Sequence, residues 1–410
     1  MPASVNAMLT PPKPQSLRTQ VAIIGGGPAG LLLSHLLANA GITSVIIERQ
    51  TAAHVMERIR AGVLEQGSVD ILTNAGLADR LHAQGQRHAG FALAHNGKTC
   101  RIALNTLANS HVTIYGQTEV TADLMAAHIA RNTTMFHAAR NVSLHNLTTN
   151  QPHVRFEHDG DTWQIEADFI AGCDGFRGPS RQAIPMAERV EHQRDYPFGW
   201  LGILADVPPC SHELIYASSA RGFALASMRS PTRSRYYIQC RADEDIAQWS
   251  DDRIWDELAT RLGPEVATTI TPGPALEKSI APLRSFVCET MRYGRLFLAG
   301  DAAHIVPPTG AKGLKLALGD VQYLATALNA YINANNAAGI ENYAKTALAR
   351  VWKSERFSWS LTNLLHDLGD ADSFGKNMRA AELDYIFNSQ AAQTTIAENY
   401  VGLPFDDVLA

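Results

Sequence analysis

Three glycines and one glutamate in the first fifty residues have the spacing of a phosphate-binding turn. Gly25, Gly27 and Gly30 follow a short apolar run, and a helical stretch comes directly after them. The first glycine allows a tight turn, the second lets a pyrophosphate approach the backbone, and the third lets the helix pack closely on the strand. Glu48 ends the next apolar run, where a carboxylate can accept hydrogen bonds from ribose hydroxyls. This spacing predicts a dinucleotide site, and the alternative is a glycine-rich turn in an ordinary βαβ unit.

The elements that must position these residues form a βαβ unit with parallel strands. The apolar patterns predict strands over residues 21–24 and 44–47 with a helix over 31–40 between them. Two later apolar runs also end in an acidic loop, which contains Asp174 in one case and Asp301 in the other. We therefore expect both aspartates to follow strands of the same nucleotide-binding sheet.

The middle and the end of the chain have a different texture. Residues 196–245 hold short aromatic and aliphatic runs broken by proline and glycine, which is typical of an antiparallel sheet. Residues from 311 onward are mostly helical, with apolar residues three and four positions apart. The fold class predicted is therefore α/β, with a Rossmann-like domain, a β-rich insertion and a C-terminal helical region.

Composition narrows the class of protein further. The 410 residues are 46% hydrophobic and 18% charged, which is typical of a globular chain, and the net charge of −5 gives no electrostatic reason to bind nucleic acid. The sequence contains no apolar run long enough to span a membrane. Its five cysteines include no C-x-x-C pair, so neither disulfides nor a metal site is predicted. We expect a cytoplasmic protein whose first 18 residues are a flexible arm.

A more specific pattern lies near residue 300. Residues 295–304 read Arg-Leu-Phe-Leu-Ala-Gly-Asp-Ala-Ala-His, and Cys173-Asp174-Gly175 comes earlier in the chain. Together with the glycine turn, these segments resemble the three fingerprints of the class A flavoprotein aromatic hydroxylases. Further segments resemble the members of this family that act on 4-hydroxybenzoate, namely residues 115–119, 196–200, 279–285, 307–314 and 398–404. The resemblance extends from about residue 19 to residue 407.

The resemblance implies FAD as the cofactor and assigns its contacts. Asp301 would hold the ribityl chain, and Arg58 and Arg60 beside Gln117 would contact the pyrophosphate and the flavin. The full set of implied FAD contacts is Gly25, Gly27, Gly30, Glu48, Arg58, Arg60, Gln117, Asp174, Asp301, Lys312, Gly313, Leu314 and Lys315.

Lys315 departs from the family pattern, which commonly has asparagine there. A cation at this position would stabilise an anionic reduced flavin and could bias its movement, whereas the alternative is a side chain that turns to solvent.

The resemblance also assigns the substrate site. Arg229 would pair with a substrate carboxylate, assisted by Ser227 and Tyr237, because a planar guanidinium matches a carboxylate. Tyr216 and Tyr400 would activate the phenol and pass its proton outward, with His88 as the outer end near solvent. The face where oxygen reacts would be lined by Pro308 and Thr309, and Leu214 and Trp200 would be apolar walls.

A nicotinamide nucleotide must supply the hydride, yet the chain has no second G-x-G-x-x-G turn. The family binds NADPH in a surface groove, and the matching positions here are Arg49, Gln50, His54, Arg60, Phe176, Arg177 and Arg284. His54 and Arg177 replace a tyrosine and a histidine of the family. Because both can be cationic, they favour NADPH, whose 2′-phosphate needs a positive partner.

The activity implied is hydroxylation of 4-hydroxybenzoate at C3 to 3,4-dihydroxybenzoate, using NADPH and O2 through a flavin C4a-hydroperoxide. One rival enzyme function is a related hydroxylase that acts on another aromatic substrate, such as 3-hydroxybenzoate or a phenol without a carboxylate. The other is a nicotinamide-dependent dehydrogenase. A flavin-binding sensor without turnover is the rival from another class.

The expected division of the chain has five parts. A flexible arm over 1–18 precedes the first part of the FAD domain over 19–190, and a β-rich substrate domain follows over 191–283. The FAD domain returns over 284–355, and residues 356–410 form a helical region through which the resemblance implies a homodimer.

Overall fold

A computed structural model describes residues 14–57, 62–369, 373–402 and 404 of the chain. Arg58 and Arg60, both predicted FAD contacts, lie outside the described residues. Within the described residues the strands form three sheets, and the strands and helices are numbered below in chain order.

The first sheet is the nucleotide-binding sheet that the sequence predicts. Its strand order is β17-β18-β11-β1-β2-β8, and β10 and β9 extend it from β11. The strands are β1 (Gln15–Ile24), β2 (Ser44–Ile47), β8 (Met135–Phe136), β9 (Arg140–His145), β10 (His153–His158), β11 (Asp161–Gly172), β17 (Arg292–Tyr293) and β18 (Leu296–Leu298). Because β18 pairs with β11, the chain does return to this sheet after the insertion.

The parallel strands of this sheet end in register. Ile24 at the end of β1 lies opposite Ile47 of β2 on one side and Gly172 of β11 on the other, and Gly172 lies opposite Leu298 of β18. The loops that follow these four strands therefore meet at one edge of the sheet. In open α/β sheets this carboxyl edge is where ligands bind.

The N-terminal arm is shorter than predicted. The strand β1 begins at Gln15, because residues 15–18 continue the parallel pairing with β11. Side chains hold the extension in place: Arg18 pairs with Asp168 at 2.6 Å, and Gln15 donates to Asp161 at 2.8 Å. The expectation of a flexible segment is therefore wrong for residues 15–18, and residues 1–13 lie outside the described part.

The second sheet is largely antiparallel and has the order β19-β16-β12-β15-β14-β13-β5-β6. Its strands are β5 (Phe91–His95), β6 (Lys98–Ile102), β12 (Glu191–Ala205), β13 (Ile215–Ser219), β14 (Gly222–Ser230), β15 (Arg233–Arg241), β16 (Ala275–Cys288) and β19 (His304–Ile305). The central strands lie in the predicted β-rich insertion. The pairing of β5 with β13 brings a hairpin from the first part of the chain into the sheet, which the sequence did not predict.

A small third sheet has the order β3-β7-β4, and its strands come between β2 and β8 of the first sheet in sequence. It consists of β3 (Val63–Glu65), β4 (Gln86–His88) and β7 (Val112–Ile114). The helices are α1 (Pro28–Asn39), α2 (Ala52–Glu57), α3 (Gln66–Asn74), α4 (Asp79–Gln84), α5 (Leu104–Leu107), α6 (Gln117–Ala130), α7 (Pro179–Gln182), α8 (Asp251–Leu262), α9 (Pro264–Ala267), α10 (Gly313–Ala334), α11 (Ala338–Leu365), α12 (Ser373–Asn388) and α13 (Gln390–Val401).

The last four helices match the predicted helical region. Helices α10 and α11 pack against each other, and α10 also packs on α1 of the nucleotide-binding unit. Among the described helices, none has both the length and the apolar character needed to cross a bilayer. The five-part division of the chain, with its exact boundaries, stays a prediction.

Candidate active site

The glycine turn after β1 requires glycine for steric reasons. Gly25 has a φ of +104°, and a β-carbon there would lie 2.3 Å from the carbonyl oxygen of Cys173 on the neighbouring strand end. A β-carbon at Gly30 would lie 2.0 Å from the carbonyl oxygen of Gly25. Both distances are far below van der Waals contact, so these two positions hold the turn, α1 and β11 together in the predicted manner.

The N-terminus of α1 faces open space. Gly27 is the N-cap residue, no side chain caps the helix, and a β-carbon at Gly27 would have no atom within 4 Å. The first amide groups of a helix have no acceptor within the helix and attract anions. Glu48 lies beside this turn, where its carboxylate accepts hydrogen bonds from the amides of Gly26 and Gln50, each at 2.6 Å.

Two aspartates stand at the adjacent strand ends. Asp174 follows β11, and its Oδ2 accepts a hydrogen bond from the Ser180 amide at 2.8 Å. Its Oδ1 is buried and has no partner among the described residues, and burial raises the pKa of this carboxyl. Asp301 follows β18 in a 3-10 turn and is exposed. A polyhydroxylated ligand lying along this edge would meet both an unpartnered oxygen and an accessible carboxylate.

A pair of tyrosine hydroxyls is buried in the apolar cluster that also contains Trp200 and Leu214. Tyr216 of β13 and Tyr400 of α13 are 2% and 0% exposed, and their hydroxyl oxygens are 2.9 Å apart. Burial raises the pKa of Tyr216 to about 12, and that of Tyr400 also lies above its ordinary value for the same reason. Both groups are therefore protonated at neutral pH and can exchange a proton along their hydrogen bond.

The predicted carboxylate-binding residues lie on β14, which pairs with β13, and on β15, the next strand of the sheet. Ser227 and Arg229 are on β14, and Tyr237 is on β15 opposite Leu225, which itself lies opposite Tyr216. The Nη1 of Arg229 donates to the Met228 carbonyl at 3.0 Å, while its Nε is buried with no acceptor among the described residues. Burial lowers the pKa of Arg229, and the neighbouring Tyr237 partly opposes this effect.

Ser227 is already committed in this arrangement. Its hydroxyl donates to the carbonyl oxygen of Arg235 at 2.7 Å, and the side chain is 6% exposed. A hydroxyl has one proton to give, so Ser227 cannot also donate to a carboxylate without breaking this bond. Its assignment to substrate binding stays a prediction.

A histidine that the sequence analysis did not single out completes the apolar wall. Trp200 donates from Nε1 to Nε2 of His366 at 2.7 Å, and the other ring nitrogen of His366 lies 2.9 Å from the Thr362 carbonyl. Burial lowers the pKa of His366 to about 3, so its ring is neutral. The Thr362 hydroxyl is in turn hydrogen-bonded to that of Thr309 at 2.8 Å.

These contacts link the wall of the second sheet to the turn that contains Pro308. Thr309 is fully buried, whereas Pro308 is exposed. Leu214 belongs to the same apolar cluster as Trp200 and Tyr216. The structure therefore places four predicted residues in one region, namely Trp200, Leu214, Pro308 and Thr309.

Lys315 is buried, so the alternative that it turns to solvent is wrong. Its side chain is 1% exposed, and its ammonium lies 3.5 Å from Glu65 and 5.5 Å from the centre of the Tyr400 ring. Lys312 donates to Glu65 at 2.5 Å, and Arg350 donates to the other carboxylate oxygen at 3.2 Å. One carboxylate thus faces three cations.

Burial has opposite consequences for the charges of this cluster. It lowers the pKa of Lys315 to about 7, with the neighbouring charge of Lys312 acting in the same direction. Burial alone would raise the pKa of Glu65, but the surrounding cations hold it below its ordinary value. Glu65 and Arg350 were not found from the sequence, since a single acid and a single arginine on separate elements form no motif.

His88 does not reach solvent as predicted. Its side chain is 2% exposed because β4 pairs with the buried strand β7, where His88 lies opposite Val112. Neither ring nitrogen has a hydrogen-bond partner among the described residues, and burial lowers the pKa of the ring. Its role as the outer end of a proton path stays a prediction.

The remaining predicted cofactor contacts are the first residues of two helices. Gln117 opens α6, and Gly313 opens α10 with Leu314 and Lys315 in the same turn. A β-carbon at Gly313 would have no atom within 4 Å, so the start of α10 also faces open space. Both helices present first-turn amides, although neither contact with a cofactor is tested by the structure.

Two of the residues predicted for NADPH come together. The guanidinium of Arg284 lies 5.0 Å from the centre of the Phe176 ring and pairs with Asp195 at 3.4 Å. Arg49, His54 and Arg177 are exposed, and Gln50 is half-buried.

Comparison with known proteins identifies the class. The chain matches the FAD binding domain family over residues 18–358. It is 53% identical over 393 residues to p-hydroxybenzoate hydroxylase of Acinetobacter baylyi, an alignment that covers 96% of this chain and 97% of that protein. Rifampicin monooxygenase of Streptomyces venezuelae is 26% identical over 341 residues, which cover 82% of this chain and 67% of that protein.

The fold is also that of solved flavoprotein structures. The p-nitrophenol 4-monooxygenase of Pseudomonas putida superposes with a TM-score of 0.77 at 19% identity, covering 93% of this chain and 97% of that one. Fold, site and relatives together define an FAD-dependent monooxygenase. The chain belongs to the FAD binding domain family, and within it to the class A FAD-dependent aromatic hydroxylases.

The residues at the edge of the first sheet fit FAD. The open N-terminus of α1 suits the pyrophosphate, and the unpartnered Oδ1 of Asp174 offers an acceptor to a cofactor hydroxyl. When bound, FAD supplies the hydride acceptor and the oxygen-activating ring that the side chains of this chain lack.

Proposed function

We propose that this enzyme hydroxylates 4-hydroxybenzoate at C3. The reaction consumes one NADPH, one proton and one O2 for each 3,4-dihydroxybenzoate, and it releases NADP⁺ and water. The observation that carries the proposal is the hydrogen-bonded hydroxyl pair of Tyr216 and Tyr400, whose oxygens are 2.9 Å apart. Tyr216 lies on the same sheet as Arg229, whose Nε has no acceptor among the described residues. A ring with a carboxylate at one end and a phenol at the other suits this pair of sites.

Arg229 binds the carboxylate end of the substrate. Its Nε has no acceptor among the described residues, and burial disfavours the charged form of the guanidinium. An anionic partner would accept a hydrogen bond from Nε and would stabilise the cation. The neighbouring Tyr237 favours the charged form of the guanidinium.

Tyr216 meets the phenol end. Because its pKa is raised to about 12, Tyr216 keeps its proton and can donate a hydrogen bond to the phenolate oxygen of the substrate. This bond stabilises the phenolate form, in which the substrate carbon next to the C–O group is electron-rich. Tyr400 accepts or returns the proton on the far side of Tyr216. The apolar wall of Trp200, Leu214 and His366 excludes water from the face where oxygen is transferred.

NADPH is the proposed reductant. The exposed side chains of Arg49, His54 and Arg177 offer cationic partners to a 2′-phosphate, and Phe176 stacked against Arg284 offers a flat surface. NADH carries no such phosphate, so a strong preference for NADPH is expected.

A homodimer is the proposed assembly, in a cytoplasmic protein. Helix α12 carries Phe374, Met378 and Tyr385 on one face, and these side chains are 70%, 56% and 58% exposed. A stripe of this kind suits burial against a second copy. Sedimentation velocity of wild type and Met378→Glu tests this. A wild-type protein that sediments with the mass of a monomer would refute it.

The function is tested by following NADPH oxidation in air by the FAD-loaded enzyme, with and without 4-hydroxybenzoate, while product is identified by chromatography. We expect strong stimulation and one 3,4-dihydroxybenzoate per NADPH. Stimulation without product would point to another aromatic acid, and 3-hydroxybenzoate is the first to compare. Absence of stimulation by any hydroxybenzoate would refute the proposal.

A further inference from the structure

Asp320 and His304 form a buried pair behind the turn that carries Asp301. A single oxygen, Oδ2 of Asp320, lies 2.9 Å from the amide nitrogen of Gly300 and 2.6 Å from Nε2 of His304. Both side chains are 2% exposed. Two hydrogen bonds thus converge on one oxygen in the interior, where an unmade hydrogen bond is most costly.

Other hydrogen bonds hold the residues on either side of Gly300, from the Ala299 amide to Gly172 and from Arg181 to the Ala302 carbonyl oxygen, whereas the Gly300 amide is held by Asp320. Gly300 has a φ of +62°, a conformation that glycine adopts without strain, and a β-carbon there would lie 3.2 Å from Cβ of Ala317 on α10. The next residue, Asp301, has an exposed side chain, so packing does not orient it. The direction in which Asp301 points therefore depends on the backbone of Gly300, which Asp320 holds.

We propose that Asp320 is a positioning residue for the cofactor: its carboxylate, hydrogen-bonded to His304, holds the Gly300 turn so that Asp301 faces the ribityl chain of FAD. Asp320 acts from α10, 20 residues after the turn, and touches neither substrate nor the reacting atoms. The inference rests on the proposed contact between Asp301 and FAD.

The charges around His304 define how the pair responds to pH. The groups that face its ring are Asp320 on α10, Asp301 in the turn and Glu355 on α11. Burial alone would lower the pKa of His304, but the nearby Asp320 raises it above its ordinary value. Burial raises the pKa of Glu355 to about 7, so below neutrality Glu355 cannot replace the charge of Asp320.

These charges give two substitutions at Asp320 different expected effects. In Asp320→Asn the amide oxygen can still accept from Gly300, and a neutral His304 can accept from the amide group. Without the charge of Asp320, burial lowers the pKa of His304, so the ring stays neutral and this arrangement persists. In Asp320→Ala both hydrogen bonds are lost at every pH.

The experiment measures the Kd for FAD by equilibrium dialysis of the full-length protein at pH 6 and pH 8, without aromatic substrate or NADPH. For Asp320→Ala we expect a Kd at least about tenfold above wild type at both pH values. For Asp320→Asn we expect a Kd within about threefold of wild type at both pH values, because the amide oxygen still accepts from Gly300. If the alanine variant does not fold, a Kd for Asp320→Asn at least about tenfold above wild type would still contradict the proposal.

Tyr343→Phe is the matched control. It removes a buried hydrogen bond to the carbonyl oxygen of Leu298, on the strand that leads into the same turn, without touching Gly300 or His304. Wild-type FAD affinity in this variant, with the loss expected for Asp320→Ala, supports the proposal. Equal losses in all three variants, or wild-type affinity in Asp320→Ala, overturn it, whatever the outcome of the hydroxylation assay.

Discussion

Lys315 is expected to destabilise the fold in the FAD-free protein, and replacing it by methionine should reveal by how much. Its pKa falls from the ordinary 10.5 to about 7, so the unfolded chain holds the proton more tightly than the folded one between these values. Stability therefore rises with pH across this window. At 1.36 kcal/mol per pKa unit, the cost of the buried lysine is about 4 kcal/mol at pH 7 and about 2 kcal/mol at pH 9.

The measurement is urea-induced unfolding of FAD-free wild type and Lys315→Met, followed by tryptophan fluorescence at pH 7 and pH 9. The variant should be the more stable protein, and its advantage should shrink by about 2 kcal/mol between the two pH values.

Lys312→Met is the control, because the Lys312 ammonium donates to Glu65 and to the backbone of Asn399, so its removal should destabilise the protein at both pH values. An advantage of Lys315→Met that is equal at both pH values, or a loss of stability at pH 7, would refute the reasoning.

Three further substitutions test the site. Arg229→Ala should raise the Kd for 4-hydroxybenzoate by roughly 30-fold or more, whereas Arg233→Ala, at an exposed ion pair, should leave it unchanged in calorimetric titration. Tyr216→Phe should lower kcat by at least about tenfold with a smaller change in KM, because it breaks the hydrogen bond to Tyr400; equal kcat values would contradict the assignment. Glu65→Gln removes the carboxylate that Lys312, Lys315 and Arg350 face and should cost about 3–5 kcal/mol in urea unfolding; a cost under about 1 kcal/mol would contradict the role of that carboxylate.

The first sheet could be predicted because its signals are local. The apolar strands, the glycine turn and the acidic strand ends each occupy a few consecutive residues, and parallel pairing then brings Gly25, Asp174 and Asp301 to one edge. The N-terminal strand was predicted to begin too late, because three of residues 15–18 are polar and the segment is held by partners about 150 positions away.

The polar interior could not be predicted in the same way. Glu65 gathers cations from α10 and α11, and Asp320 supports a turn 20 residues before it. Neither acid belongs to a pattern, since the packing of the helices alone decides which side chains meet. Likewise, the neutral state of His366 follows from its burial beside Trp200, which no spacing in the sequence reveals.

The hydroxyl pair joins residues 184 positions apart, and this separation has a consequence for biosynthesis. The four strands that build the nucleotide edge are complete at Leu298, about 100 residues before Tyr400 on the last described helix. A nascent chain can thus assemble its cofactor edge long before Tyr216 has a partner. Chains released before α13 has emerged would bind FAD but would lack proton transfer between Tyr216 and Tyr400. The final helix thus completes the catalytic site of a protein whose cofactor site is already built.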